Sequence, residues 1–106
     1  MENYISRTVL ENRQHALERQ LDKIKRVIAD IESTLKTLEF DKTLLRDQLG
    51  STNDQERTDT IAKIKQIDRQ IDELEPTLNM LHWHYDRLVK LSASITAKLV
   101  FIPEPE

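Results

Sequence analysis

The feature that most constrains this chain is a heptad repeat of apolar residues running through each half of it. In the first half, one row recurs every seven residues: Leu10, Leu17, Ile24, Ile31, Leu38 and Leu45. A second row lies four residues after the first: Gln14, Leu21, Ile28, Leu35, Lys42 and Leu49. Alternating spacings of three and four are typical of one face of an α-helix, and neither a strand nor a loop would keep them. The pattern predicts one helix over about residues 3–49.

The second half of the chain repeats the pattern. Its two rows are Ile64, Ile71, Leu78, Tyr85, Ser92 and Leu99, and then Ile67, Leu74, Leu81, Leu88, Ile95 and Ile102. They predict a second helix over about residues 54–100. Pro76 lies within it, lacks a backbone N–H and clashes with the preceding turn. Because Leu74 and Leu78 keep their phase across Pro76, we expect the helix to kink there rather than break.

The link between the helices carries turn and capping signals. Gly50, the only glycine, follows Leu49 where a left-handed residue would end the first helix. Residues 51–54 all have side chains that cap helix N-termini, and Glu56 follows Asn53 at capping-box spacing. A turn over residues 50–53 is so short that the second helix must fold back antiparallel on the first.

The two repeats also predict which residues face each other. We expect paired residue numbers to sum to 102, which places Leu17 opposite Tyr85 and Ile31 opposite Ile71. The same register sets Gln14 against Leu88 and Lys42 against Thr60.

The predicted fold class is all-α: a long antiparallel helical hairpin, or two-helix coiled coil, whose second helix is kinked at Pro76. One domain is expected over residues 1–102, with a flexible C-terminal tail over 103–106. A lone pair of helices has a poor surface-to-volume ratio. We therefore expect two copies to dimerise into a four-helix bundle.

Composition and charge exclude several classes of protein. The chain has no cysteine, so it has neither disulfides nor thiolate metal ligands. No stretch approaches the roughly 20 apolar residues of a membrane span, and residues 1–14 lack the apolar core of a signal peptide. We therefore expect a soluble, cytoplasmic protein. Sixteen basic and nineteen acidic residues give a net charge of −3, which disfavours nucleic-acid binding. The densest basic stretch, interleaved with acidic residues, is Arg19, Lys23, Lys25 and Arg26.

The sequence offers little for catalysis or for a cofactor. The segment His82-Trp83-His84-Tyr85-Asp86 is its densest cluster of reactive side chains. His82 and His84 lie about 200° apart on a helix, so they cannot bind one metal together. The chain also lacks a glycine-rich phosphate loop and a nucleophile elbow. We expect a non-enzymatic protein without a cofactor or metal.

Large apolar residues outside the two heptad rows are the candidate functional residues. They have no partner within the predicted seam, and clusters of such residues mark protein contacts. Trp83 is the strongest candidate because tryptophan is a preferred interface anchor. The predicted protein-interaction residues are Phe40, Leu44, Met80, Trp83, Leu91, Val100 and Phe101.

Three functional hypotheses follow from these features. The first is a coiled-coil interaction module that self-associates as a homodimer and binds a partner protein. The second is a small helical inhibitor or chaperone, of the phage or secretion type, that docks on one larger protein. The third is nucleic-acid binding by the basic stretches of two paired copies, which the charge balance disfavours.

Overall fold

The fold is described by a computed structural model that covers residues 6–50 and 53–101. Within these ranges the chain forms two α-helices and no β-strand: α1 (Arg7–Gln48) and α2 (Asp54–Phe101). The helices pack antiparallel, so the prediction of an all-α helical hairpin is confirmed. The predicted helix residues 3–5, the seam residue Ile102 and the tail over 103–106 lie outside the described ranges.

Polar caps define where both helices begin. The Ser6 hydroxyl accepts a hydrogen bond from the Val9 amide at 3.2 Å, and this N-cap starts α1. The Asn53 side-chain oxygen accepts one from the Glu56 amide at 2.9 Å and starts α2. Each cap satisfies one of the N-terminal amides that have no partner within the helix.

The end of α1 differs from the prediction. No glycine in the described residues has a positive φ, so the left-handed conformation predicted for Gly50 is wrong. Instead, the Leu49 amide donates to the Arg46 carbonyl at 3.2 Å, three residues earlier. Such a bond tightens the last turn as a 3₁₀-helix does, and it needs no left-handed residue.

Helix α2 continues through Pro76 without a break. The Pro76 side chain is exposed, while Leu74 and Leu78 on either side of it are half-buried. The apolar face therefore keeps its phase across the proline, as expected. A kink at Pro76 stays a prediction.

The chain divides into two compact units. Unit 1 combines Met1–Val27 with Leu81–Glu106, and unit 2 is Ile28–Met80. The core of unit 1 consists of four buried heptad residues: Leu10, Leu17, Leu88 and Ile95. Three partly buried residues pack against them: Leu21, Ile24 and Leu99. Arg7 closes this end of the core, because its guanidinium donates to the Leu99 carbonyl at 3.3 Å. A cation there satisfies a terminal carbonyl of α2 and complements the helix dipole.

Unit 2 also buries apolar heptad residues between its helices, but polar residues accompany them. Ile28 and Ile71 are buried, and Thr60 is the one buried polar residue in the described part of the chain. Lys42, a heptad residue, forms an ion pair with Asp68 across the two helices. Its side chain is 16% exposed, so its stem covers apolar surface while its ammonium group reaches a carboxylate at the edge.

The predicted register is wrong in both units. In unit 1, Gln14 donates a hydrogen bond to Thr96, whereas the prediction set Gln14 against Leu88. In unit 2, Lys42 meets Asp68 and not Thr60. Both observed partners lie eight residues beyond the predicted ones, which corresponds to a shift of about one heptad. A shift of seven brings the same rows face to face, so the repeat cannot distinguish the two registers.

We predict that Ile71→Asp destabilises the hairpin by about 3–5 kcal/mol, because it buries an unpaired carboxylate in the seam. Ile71 is only 6% exposed. Thermal and urea unfolding followed by far-UV circular dichroism would measure the loss. Asn79→Asp, which places a carboxylate at an exposed position of α2, is the control and should change stability by less than about 0.5 kcal/mol. Equal stability of the two variants would contradict the assignment of the seam.

Candidate interaction surfaces

Every predicted interaction residue lies on the surface. Phe101 is 85% exposed, and Leu44, the least exposed of the seven, is still 45% exposed. Among the described residues no large side chain is fully buried, and the most buried core residue, Leu10, is 3% exposed. Each unit therefore has a thin core beside a considerable amount of exposed apolar surface.

Trp83 projects from α2 in unit 1 with 63% of its surface exposed. The Arg87 guanidinium lies 5.5 Å from the centroid of its ring, one turn later on the same helix. This cation–π contact restricts the indole without covering it. Asp86 and Lys90 line a shallow pocket beside the ring together with Arg87, so charged groups flank the indole on its C-terminal side.

A groove runs along one side of unit 1 between the two helices; we call it the unit 1 groove. Its floor consists of the buried residues Leu10, Leu17 and Ile95. Its other lining residues are Arg13, Ala16, Gln20, Leu91, Ser94 and Lys98. Arg13 and Lys98 are its only charged residues, and both are cations.

Unit 2 has a corresponding groove with different charges, formed by two adjoining depressions that share Leu38 and Gln70; we call it the unit 2 groove. Its apolar lining residues are Leu38, Leu44, Leu45, Ile67 and Leu74. Its charged residues are Asp41, Glu73 and Lys63. None of these three takes part in an ion pair within the described part of the chain.

Two of the seven predicted interaction residues line the grooves. Leu91 lines the unit 1 groove and Leu44 lines the unit 2 groove. Trp83 lines its own charged pocket. The other four predicted residues line none of these depressions: Phe40, Met80, Val100 and Phe101.

Sequence reasoning missed the residues that give the unit 1 groove its form. Ala16 and Ser94 are small and leave the floor open, while Arg13 and Lys98 supply its charge. Their signal was the series Arg13, Ala16 and Gln20, spaced by three and four residues beside the seam and free of acidic residues. A search restricted to large apolar residues passes over such positions.

The histidine-rich segment forms no metal site in this structure. His82, Trp83, His84 and Asp86 are exposed, whereas Tyr85 belongs to the seam and is half-buried. Over residues 6–50 and 53–101, no three His, Cys, Asp or Glu side chains are placed to share one metal ion. Neither described helix has an apolar stretch that would suffice to cross a membrane.

No protein-family model, curated protein or solved structure matches this chain.

We predict that Trp83→Ala changes the stability of the monomeric hairpin by less than about 1 kcal/mol, since the ring is mostly exposed and lies beside exposed charged side chains of its own helix. Leu88→Ala should cost about 2–5 kcal/mol because Leu88 is only 8% exposed in the unit 1 core. Urea unfolding of both variants at low protein concentration would measure the difference. A large loss for Trp83→Ala would mean that Trp83 serves the fold and is not available for binding.

Proposed function

We propose that this chain is a non-catalytic protein-interaction module that self-associates and also binds a partner protein. The observation that carries the proposal is the pair of helix-flanked grooves, each with a large exposed aliphatic residue beside partly or fully buried neighbours. Leu91 is 50% exposed in the unit 1 groove, and Leu44 is 45% exposed in the unit 2 groove. Exposed apolar residues joined to a core mark contact surfaces more often than isolated ones do.

The geometry of helical bundles supports self-association. In a four-helix bundle each helix packs against two neighbours and buries an apolar stripe wider than a single seam. Here each helix has one neighbour within its unit. A second pair of helices on the groove side would cover Leu91 or Leu44, together with the floor between the helices. Burying about 100 Å² of apolar surface contributes about 2.5 kcal/mol. Association also costs several kcal/mol of translational and rotational freedom, so the second copy must cover the groove as a whole and not the leucine alone.

A separate surface is better suited to a partner protein. Trp83 does not line the grooves, and its ring lies among Asp86, Arg87 and Lys90. Tryptophan and arginine are enriched among interface hot spots, and here the two lie together on an exposed surface. We propose that Trp83 anchors a partner protein in the cytoplasm. A helical inhibitor or chaperone that acts alone on one larger protein would use the same residue, and it would remain monomeric.

We predict that Leu91→Asp raises the dissociation constant of self-association about 30-fold or more, because it places a carboxylate on the apolar surface of the unit 1 groove. Val89→Asp is the matched control. Val89 is 42% exposed and lies about 200° away around α2, outside the groove. Sedimentation equilibrium at several protein concentrations would measure both constants.

A monomeric native chain at every concentration would contradict self-association. It would favour the inhibitor or chaperone hypothesis. Equal weakening by Leu91→Asp and Val89→Asp would show that the groove is not the contact surface.

A further inference from the structure

The two grooves differ in charge, although both have an apolar lining. The unit 1 groove carries the cations Arg13 and Lys98 and no carboxylate. The unit 2 groove carries the carboxylates Asp41 and Glu73 and one ammonium group, that of Lys63. The apolar lining offers binding area to any helical partner, whereas the charges select among partners.

Residues one helical turn beyond each groove extend the difference. Along unit 1, Lys23 follows Gln20 by three residues and Arg87 precedes Leu91 by four. Both are exposed, and their spacing places them on the groove side of their helices, although the Arg87 guanidinium stacks on Trp83 outside the groove. The unit 1 groove therefore carries Arg13 and Lys98 with Lys23 beside it, and none of its lining residues or these two neighbours is acidic.

The corresponding side of unit 2 has the opposite charge. Asp30 precedes Thr34 by four residues and Asp59 precedes Lys63 by four, and both carboxylates are exposed. With Asp41 and Glu73 they make four carboxylates against one ammonium group. The two grooves of one chain thus have complementary surface charge.

From this complementarity we infer the contact that joins two copies: the unit 1 groove of one copy packs on the unit 2 groove of a second copy. Two helices from each unit then form a four-helix layer in which the cations of one groove face the carboxylates of the other. Packing unit 1 against unit 1 would instead bring cations together at an apolar interface, where like charges repel each other. The inference rests on the proposed self-association and specifies its surfaces.

The second copy fits better than an unrelated occupant. An acidic helix from another protein would also suit Arg13 and Lys98, but the chain itself supplies an acidic apolar groove of the same two-helix form. The exposed leucines, Leu91 in one groove and Leu44 in the other, would both be covered by this pairing.

The test is a set of charge reversals in the full chain, with self-association measured by sedimentation equilibrium. Arg13→Glu with Lys98→Glu should weaken association at least about tenfold, because carboxylates then face carboxylates. Asp41→Lys with Glu73→Lys should weaken it similarly. All four reversals in one chain should restore association to within about threefold of the native chain, since the charges are complementary again.

A matched control separates the groove from net charge. Arg19→Glu with Arg26→Glu makes the same change in net charge, but both residues lie on α1, about 200° past seam residues Leu17 and Ile24. This variant should associate like the native chain. Far-UV circular dichroism of each variant would establish that the hairpin is intact before its association is interpreted.

The outcomes are distinguishable. A native chain that stays monomeric would overturn both the proposed self-association and this contact. A native chain that associates, but is insensitive to the Arg13 and Lys98 reversals, would overturn the contact alone and point to an acidic partner for the unit 1 groove. Failure of the fourfold variant to recover, with its helicity retained, would overturn the contact as well.

Discussion

The structure depends on a single apolar seam between two helices. In each unit, the heptad rows of α1 meet those of α2, and this contact supplies the unit's core. Because each helix packs against only one other helix, the two sides of the seam are exposed to water. Hence Leu10 within the seam is 3% exposed, while Leu91, which lies beside the seam on α2, is 50% exposed. The grooves, the exposed leucines and the proposed second copy all follow from this geometry.

The heptad repeat was sufficient to predict the helices and their buried faces, because a side chain's position around a helix depends only on local spacing. Register was not predictable in this way. Lys42 opposite Thr60 and Lys42 opposite Asp68 differ by about one heptad, and both bring the same rows together. Only cross-helix contacts such as the Lys42 ion pair distinguish them. The conformation of Gly50 likewise escaped prediction, because a 3₁₀-type bond at Leu49 ended the helix without a left-handed residue.

For the candidate surfaces, too, some features could be predicted from the sequence and others could not. Removing the seam residues from the sequence correctly left Leu44, Trp83 and Leu91 exposed. The grooves themselves require knowledge of which flanking residues of α1 lie beside which of α2. A register wrong by a heptad does not bring Arg13 beside Lys98, so their shared groove was not apparent. Charge segregation between the two grooves is therefore a property of the folded hairpin, although every residue involved is visible in the sequence.

We propose that a second copy covers the surface that one hairpin leaves open. The most direct test measures the midpoint of thermal unfolding of the native chain at protein concentrations that span a range of about a hundredfold. The molar mass is measured at each concentration. If association stabilises the fold, the midpoint rises with concentration as the dimer replaces the monomer. A midpoint that stays constant, with a monomeric mass throughout, would contradict the account.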